Sequence, residues 1–331
     1  MGPTTFSGPN RYAADTCAPL EAAVARGEVT MRALARGAYP GERLRGLPGV
    51  RSVGFWDAAR AQKWGLDWHR NEGIEFTWLE QGTLPFATDD VETVLRPGDL
   101  AITRPWQRHR VGAPHVTPGR LHWLILDVGV RRPDQPWRWP AWLRATAGEL
   151  TRLTELLRHN EHPVWAGDAT VADAFARLGD AVQTGRERWV GPRVCELLLA
   201  VGELLEAREP ALDTSLSSTE RSVTLFLSSL RERAGEPWTL DAMAAECGLK
   251  RTRFAHHCAR LTNTTPGEYL AWVRVERAAE LLATTDASVT QIAHVTGFGS
   301  SQYFATAFRR ARGCTPSEAR GSSAGASRPP R

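Results

Sequence analysis

Lysine is almost missing from this 331-residue chain, occurring only at Lys63 and Lys250. The formal net charge of +4 and the pI near 9.0 therefore rest on arginine. Arginine suits bidentate contacts to phosphate or guanine, but a GC-rich genome gives the same bias, so composition permits a polyanionic partner without demanding one. Cysteine is sparse as well. Cys17, Cys195, Cys247, Cys258 and Cys314 are scattered with no Cys-x-x-Cys pair, which reads as reduced thiols and a cytoplasmic protein. Long apolar runs are absent. Arg11, Asp15, Glu21 and Arg26 break up the start of the chain, and no stretch approaches the roughly 20 apolar residues of a membrane helix. What remains, 42% hydrophobic and 24% charged residues, is the composition of a soluble globular protein large enough for two domains and a connector.

Tryptophan is unevenly spread: 11 of the 13 lie at or before Trp189, so the two halves differ in character. Residues 1–50 carry little signal, with short helices expected near Leu20–Arg26 and Met31–Ala35. Residues 51–130 read as β. Ile74, Phe76 and Trp78 alternate before a Gln81-Gly82 turn, Thr93 to Leu95 is a short strand, Pro97-Gly98-Asp99 turns into Leu100 to Ile102, and Leu121 to Val128 is another apolar run. Short strands joined by turns imply an antiparallel barrel or sandwich. From Trp142 the period becomes helical: Leu150, Leu153 and Leu157 mark one helix, Val171, Phe175 and Leu178 a second, and Pro192 to Pro210 bounds a third. On the third, Val194, Leu198, Val201 and Leu205 form a stripe that serves either the domain's own core or a dimer seam. Residues 211–219 are small and polar, as in a linker, and 321–331 read as a disordered tail.

Near the C-terminus one helical unit occurs twice. The first copy has Ala244-x-x-x-Gly248-Leu249, then Phe254, Cys258, Arg260, Asn263 and Thr265-Pro266-Gly267-Glu268; the second has Ala293-x-x-x-Gly297-Phe298, then Phe304, Phe308, Arg310, Gly313 and Thr315-Pro316-Ser317-Glu318. The Ala and Gly positions are offset by 49 and the later ones by 50, so one residue is inserted after the glycine, where a tight turn belongs. Each Thr-Pro-x-Glu places Thr at the N-cap, Pro at N1 and Glu at N3, a capping box, and Ser288-Val289-Thr290-Gln291 makes another. With Phe254 and Cys258 facing inward, Arg251, Thr252, Ala255, His256 and Ala259 face out; with Phe304 and Phe308 inward, Ser300, Ser301, Gln302, Ala305, Thr306 and Arg309 face out. Short polar groups flanked by arginine are what base edges require: Gln pairs with adenine, Arg with guanine, and Thr or Ala methyls meet thymine. Residues 220–320 hold 13 Lys+Arg against 10 Asp+Glu, so phosphate binding falls to local clusters such as Lys250-Arg251-Arg253 and Arg309-Arg310-Arg312.

Residues 220–320 resemble the DNA-binding domain of the AraC/XylS family of transcription regulators. The matching run is Ile292-Ala293-x-x-x-Gly297-Phe298, Tyr303-Phe304-x-x-x-Phe308-Arg309-Arg310-x-x-Gly313-x-Thr315-Pro316 and Arg320. The resemblance implies two units at the ends of a connecting helix, here about Pro266–Leu282, reading successive major grooves of double-stranded DNA. It assigns base contacts to Thr252, Ala255 and His256 in the first unit and to Ser301, Gln302, Ala305 and Thr306 in the second. Lys250, Arg251, Arg253, Ser300, Arg309 and Arg310 complete the expected DNA-binding set. Lys250 stands where the family often has a Ser cap, Cys258 where it has an aromatic, Asn263 where it has Gly, and Ala319 where it has Tyr.

The N-terminal half is similar to a cupin barrel: His69-x5-Glu75-x6-Gly82 and Pro97-Gly98-Asp99-x5-Pro105-x3-His109 resemble the two cupin motifs, with Asn71 where a second His is usual. The resemblance offers His69, Glu75 and His109 as metal ligands, but with a ligand missing the preferred reading is a pocket without metal, and no cofactor is assigned. Trp68, His69, Arg70, Glu75, Arg104, Trp106, His109, His122 and Trp123 form the expected binding set for a small, sugar-like effector. The expected fold is α+β in two domains. An N-terminal extension (1–50) precedes a cupin-like antiparallel β-barrel (51–140), a helical connector open to dimerisation (141–210), the linker (211–219), an all-α domain with two helix-turn-helix units (220–320) and the tail (321–331). The expected function is a DNA-binding regulator, homodimeric and not membrane-bound; the alternatives are a metal-dependent cupin enzyme and a constitutive regulator whose barrel only dimerises.

Overall fold

The computed structural model describes residues 17–325, which fall into two compact units divided between Ser218 and Thr219. The rest of the expected extension and tail lies outside the described residues. The N-terminal unit runs α1 (Ala18–Ala25), β1 (Val29–Ala35), β2 (Glu42–Arg43), β3 (Val50–Ala58), β4 (Leu66–His69), β5 (Ile74–Gln81), β6 (Leu84–Thr88), β7 (Glu92–Leu95), β8 (Asp99–Thr103), β9 (His109–Val111), β10 (Gly119–Leu126), α2 (Ala147–His159), β11 (Val164–Ala166), α3 (Ala169–Gln183) and α4 (Glu187–Arg208). The strands form a seven-stranded sheet, β11-β8-β5-β10-β3-β1-β2, and a four-stranded sheet, β4-β9-β6-β7.

The larger sheet is buried on both faces, and side-chain alternation divides its residues between two cores. Leu79, Leu121, Trp123 and Ile125 point toward the smaller sheet, packing with Leu84, Phe86, Leu95 and Val111. Ile74, Phe76, Trp78, Leu124 and Leu126 point the other way, against Leu153, Leu157, Phe175, Leu178 and Val201 of α2, α3 and α4.

Several expectations are corrected. Met31–Ala35 is a strand rather than a helix: β1 pairs with β3 from Val29↔Ala58 to Ala35↔Ser52. Its residues are helix formers by propensity, but an open sheet edge offers them a complete ladder of hydrogen bonds and a buried face. The sheet therefore starts well before residue 51. β11 interrupts the helical stretch and caps the other edge by pairing with β8. α4 begins at Glu187, ahead of Pro192, and the Glu187 carboxylate accepts the backbone N–H of Arg45 (2.9 Å), which ties its first turn to the barrel. Val194, Leu198, Val201 and Leu205 are buried in the unit's own core. Of the two roles open to that stripe, packing in the unit's own core is the one realised, with the sheet and neighbouring helices covering it.

The C-terminal unit is helical among its described residues: α5 (Thr219–Ser229), α6 (Leu240–Glu246), α7 (Arg251–Thr262), α8 (Pro266–Thr284), α9 (Val289–Val295), α10 (Ser301–Arg312) and α11 (Pro316–Gly325). α5 starts inside the expected linker, and α11 extends into the stretch expected to be a disordered tail. The capping boxes at Thr265/Glu268 and Ser288/Gln291 form, and Thr315 with Glu318 makes the same reciprocal bonds. Two separate apolar cores result. One gathers Val223, Phe226, Leu230, Met243, Phe254, Cys258, Leu270 and Val273; the other gathers Val275, Ala278, Leu282, Ile292, Phe298, Phe304 and Phe308. α8 contributes to both.

Leu205 is completely buried. Leu205→Ala should lower stability by about 2–5 kcal/mol, the cost of a large-to-small change in a packed core, as read by urea denaturation. Sedimentation of the folded variant should match the parent protein; dissociation of an oligomer without loss of stability would restore the seam.

Candidate functional site

Each helix-turn-helix unit turns on a glycine in the left-handed region, Gly248 at φ 66° and Gly297 at φ 83°. Leu249 N–H donates to Ala244 O (2.8 Å) and Phe298 N–H to Ala293 O (2.9 Å), the six-residue closure that ends a helix when the next residue has no Cβ penalty. The residue inserted in the second copy falls between that closure and the next helix, so α9 and α10 are joined by five residues where α6 and α7 are joined by four. The second helix of each pair then starts differently. Ser300 caps α10 by accepting the N–H of Tyr303 (3.2 Å), whereas Lys250 offers α7 no side-chain cap. Asn263 and Gly313 close α7 and α10 in the left-handed conformation.

The inward faces are as expected. Phe304 packs on Phe298 and Phe308, with ring centroids 5.0 and 5.6 Å away. In the first unit Cys258 is too small for that pairing, and Phe226 of α5 meets Phe254 edge-on at 5.8 Å. The cores are thus filled by different routes. Outward, α7 exposes Arg251, Thr252, Arg253 and His256 with Ala255 half-buried, and α10 exposes Gln302, Thr306, Arg309 and Arg310 with Ser301 and Ala305 half-buried. Arg251 lies 3.4 Å from Asp241, but both are exposed, and such a pair holds the guanidinium only weakly. Arg312 of the expected phosphate cluster instead reaches Glu276 on α8 at 2.8 Å. Tyr303, 58% exposed at the start of α10 and outside the expected set, packs its ring edge-on against Phe298 at 5.8 Å.

In the N-terminal unit, a cavity of about 50 Å³ lies between the sheets, lined among others by Tyr39, Trp56, Trp64, His69, Asn71, Glu75 and Trp123. That is room for a few waters. Of the expected ligand set it gathers His69, Glu75 and Trp123, with His109 joined through Glu75. The others lie elsewhere. Trp68 is on the opposite face of β4 from His69, stacked by Arg108 (4.3 Å) and Arg110 (5.2 Å). His122 faces α3 and bonds Glu80 at 2.7 Å. Trp106 donates its indole N–H to Val130 O (2.9 Å), Arg104 donates to Asn160 O, and Arg70 is not in the lining. Neighbours on a strand point to opposite faces, so Trp68 with His69, and His122 with Trp123, never shared a pocket. Tyr39, Trp56, Trp64 and Asn71 were missed; Tyr39 and Trp64 enter from loops whose place the sequence pattern does not reveal.

His69, Glu75 and His109 are all buried, and one ligand atom from each lies within 4.8 Å of the others. His69 Nδ1 faces Asp67 O (2.6 Å) and His109 Nδ1 faces Gln107 O (2.9 Å). These carbonyls hold Nδ1–H and leave each Nε2 turned to the centre, where His109 Nε2 meets Glu75 Oε2 at 2.9 Å. Burial, reinforced by the neighbouring His109, pushes the His69 pKa down to about 4, so its imidazole is neutral at physiological pH. Burial alone would raise the Glu75 carboxyl, but the hydrogen bond and charge of His109, with His69 and Thr77, bring it below the ordinary carboxylate value. Asn71, where a further ligand would stand, donates its amide to Glu75 instead. One imidazole nitrogen from each histidine and the Glu75 carboxylate are the donor types that suit a divalent ion of the zinc, iron or manganese type.

Comparison with known proteins assigns a helix-turn-helix domain to residues 243–322 and a cupin domain to 60–125. The MmsAB operon regulatory protein of Pseudomonas aeruginosa is 26% identical over 308 residues, covering 90% of this chain and 87% of that protein. The HTH-type transcriptional activator RhaS of Escherichia coli is 31% identical over 254 residues, covering 76% and 86%. Among solved structures, the DNA-binding domain of AdpA in complex with a target DNA is 28% identical, covering 32% of this chain and 95% of that one, with a TM-score of 0.31. Among the described residues no helix is long and apolar enough to cross a membrane.

Proposed function

The chain belongs to the AraC family of transcription regulators, and from that premise we propose that α7 and α10 read successive major grooves of one DNA face under control of a small polar metabolite, sugar-like in chemistry, held in the barrel. The protein is a DNA-binding regulator, and its relatives are regulators too. One observation carries the assignment of the base-reading residues. α10 presents Ser301, Gln302 and Thr306 on one outward face, followed by Arg309 and Arg310, on a helix capped by Ser300 and anchored by Phe304 and Phe308. Groups that must meet base edges need a rigid scaffold, and here cap and core hold both ends of it. Thr252, Ala255 and His256 do the same on α7, with Lys250, Arg251 and Arg253 on phosphate. The missing cap makes α7 the softer reader.

Gln302→Ala should cost about 1–3 kcal/mol at the preferred site and relax the preference at one base pair. Selection of bound duplexes from a random pool by parent and variant reads this directly. An unchanged preference would mean that Gln302 meets no base.

The sensor half works by population shift: a ligand that binds one arrangement of the barrel better favours it, and with it one disposition of the DNA-binding units in a homodimer. Trp123 supplies the flat apolar wall, and Glu75, His69 and Asn71 the polar partners. A sugar exceeds a cavity of about 50 Å³, so binding it widens the space between the walls. A monosaccharide present at about 100 times its Kd should stabilise the protein by about 2.7 kcal/mol, a rise of several degrees in Tm, and Trp123→Ala should abolish that rise. If the rise survives the substitution, the ligand sits elsewhere.

The convergence of His69, Glu75 and His109 favours a second reading, in which a divalent ion is part of the sensor. The ion would give the ligand's oxygens a Lewis-acid partner, while Asp67 O and Gln107 O fix the imidazoles and Asn71 orients Glu75. Elemental analysis of the purified protein should then find near-stoichiometric metal, lost in His69→Ala. A metal-free parent protein that still responds to its ligand would dispose of this reading.

A further inference from the structure

The two apolar cores of the C-terminal unit meet on α8, and Arg274 stands between them. At about 100° per residue, Leu270 and Val273 share one face of α8, buried with Phe254 and Cys258. Val275, Ala278 and Leu282 share another, about 140° round the helix, buried with Phe304 and Phe308. Arg274 projects midway between the two faces. Its Nε donates to Ala234 O (2.9 Å) and its Nη2 to Glu236 O (2.9 Å), both in the turn that joins α5 to α6 in the first unit. The same guanidinium lies against the α9–α10 turn of the second unit, where a Cβ placed on Gly297 would stand 2.8 Å from Nη2. Around this point the two backbones touch. A Cβ on Gly235 would fall 2.3 Å from Val295 O, and one on Gly297 would fall 2.8 Å from Ala234 O.

We infer that Arg274 is a positioning residue for DNA recognition: it locks the two helix-turn-helix units at one relative angle, and so sets the spacing and helical phase of the two base sequences that the protein accepts together. The inference rests on the two-groove reading above. An inserted base pair rotates the second half-site by about 35° and carries it about 3.4 Å along the axis. A hinge between the units would absorb that change, whereas a planar fork bonded to two carbonyls of one unit and packed on the glycine turn of the other resists it. Lysine has charge and reach but one nitrogen, and cannot hold both carbonyls in that geometry.

The test uses the full chain and the tightest duplex that it selects from a random pool, together with derivatives carrying one or two extra base pairs between the two contacted segments. The parent protein should lose about tenfold or more in affinity on the first insertion, in the range that a single wrong base pair costs. Arg274→Ala and Arg274→Lys should bind the original duplex more weakly and lose less than about threefold on insertion. Gly235→Ala, which leaves the Arg274 side chain intact but forces the backbone that carries its two carbonyl partners away from Val295 O, should flatten the profile in the same way. Melting curves establish that each variant is folded, and if Arg274→Ala is not, the other two carry the comparison. A folded variant set whose spacing profile stays as sharp as the parent's, whatever the overall affinity, overturns the role of Arg274. A parent profile that is already flat overturns the two-groove reading, and the staple's role with it.

Discussion

The DNA-reading half of this protein depends on one 19-residue helix, α8, that belongs to two cores at once. Neither helix-turn-helix pair is long enough to bury an apolar core alone; α6 and α9 have seven residues each. Each pair closes its core against a different face of α8. At about 1.5 Å per residue, α8 is some 28 Å long, close to one turn of the DNA double helix. On the reading proposed for α7 and α10, the helix that completes both small cores is thus also the element that spaces them. The two Gly turns and the inward aromatics orient α7 and α10 with respect to this support.

A related constraint shapes the N-terminal half. A sheet covered on both faces has nowhere to send its polar side chains except inward, and β5 sends Glu75 and Thr77 into the space between the sheets while Ile74, Phe76 and Trp78 face the helices. Burying a carboxylate is costly unless its oxygens are bonded. Glu75 meets that condition through His109, Thr77 and Asn71. The result is a small polar centre in an aromatic-walled cavity, which is why the same residues serve either reading of the sensor.

Much of this was legible in the sequence where the information is local. Capping boxes, glycine turns and inward aromatics act over three to five residues, and each is written in the order of the residues that form it. The two cupin-like segments were legible only as a resemblance, because His69 and Glu75 stand on strands of different sheets that no local pattern brings together. Grouping Trp68 and His122 with them ignored the alternation of side chains along a strand. β1 was hidden because its residues favour helix and only its neighbour β3 makes it a strand. The α4 stripe carried a real pattern, but a pattern of apolar residues does not say whether the covering surface is the same chain or another.

By itself, then, the sequence determined the two-domain α+β class, the duplicated helix-turn-helix units with their unequal turns, and the helix faces that present polar residues outward, because these follow from periodicity and capping along a few turns of chain. Only the tertiary structure decided which polar residues share a cavity, that the α4 stripe is internal, and that Gly297 packs against Arg274. These are relations between segments distant in the chain. They arise when separate elements compete to bury apolar surface while leaving no donor or acceptor unpaired, and no local pattern encodes the outcome of that competition.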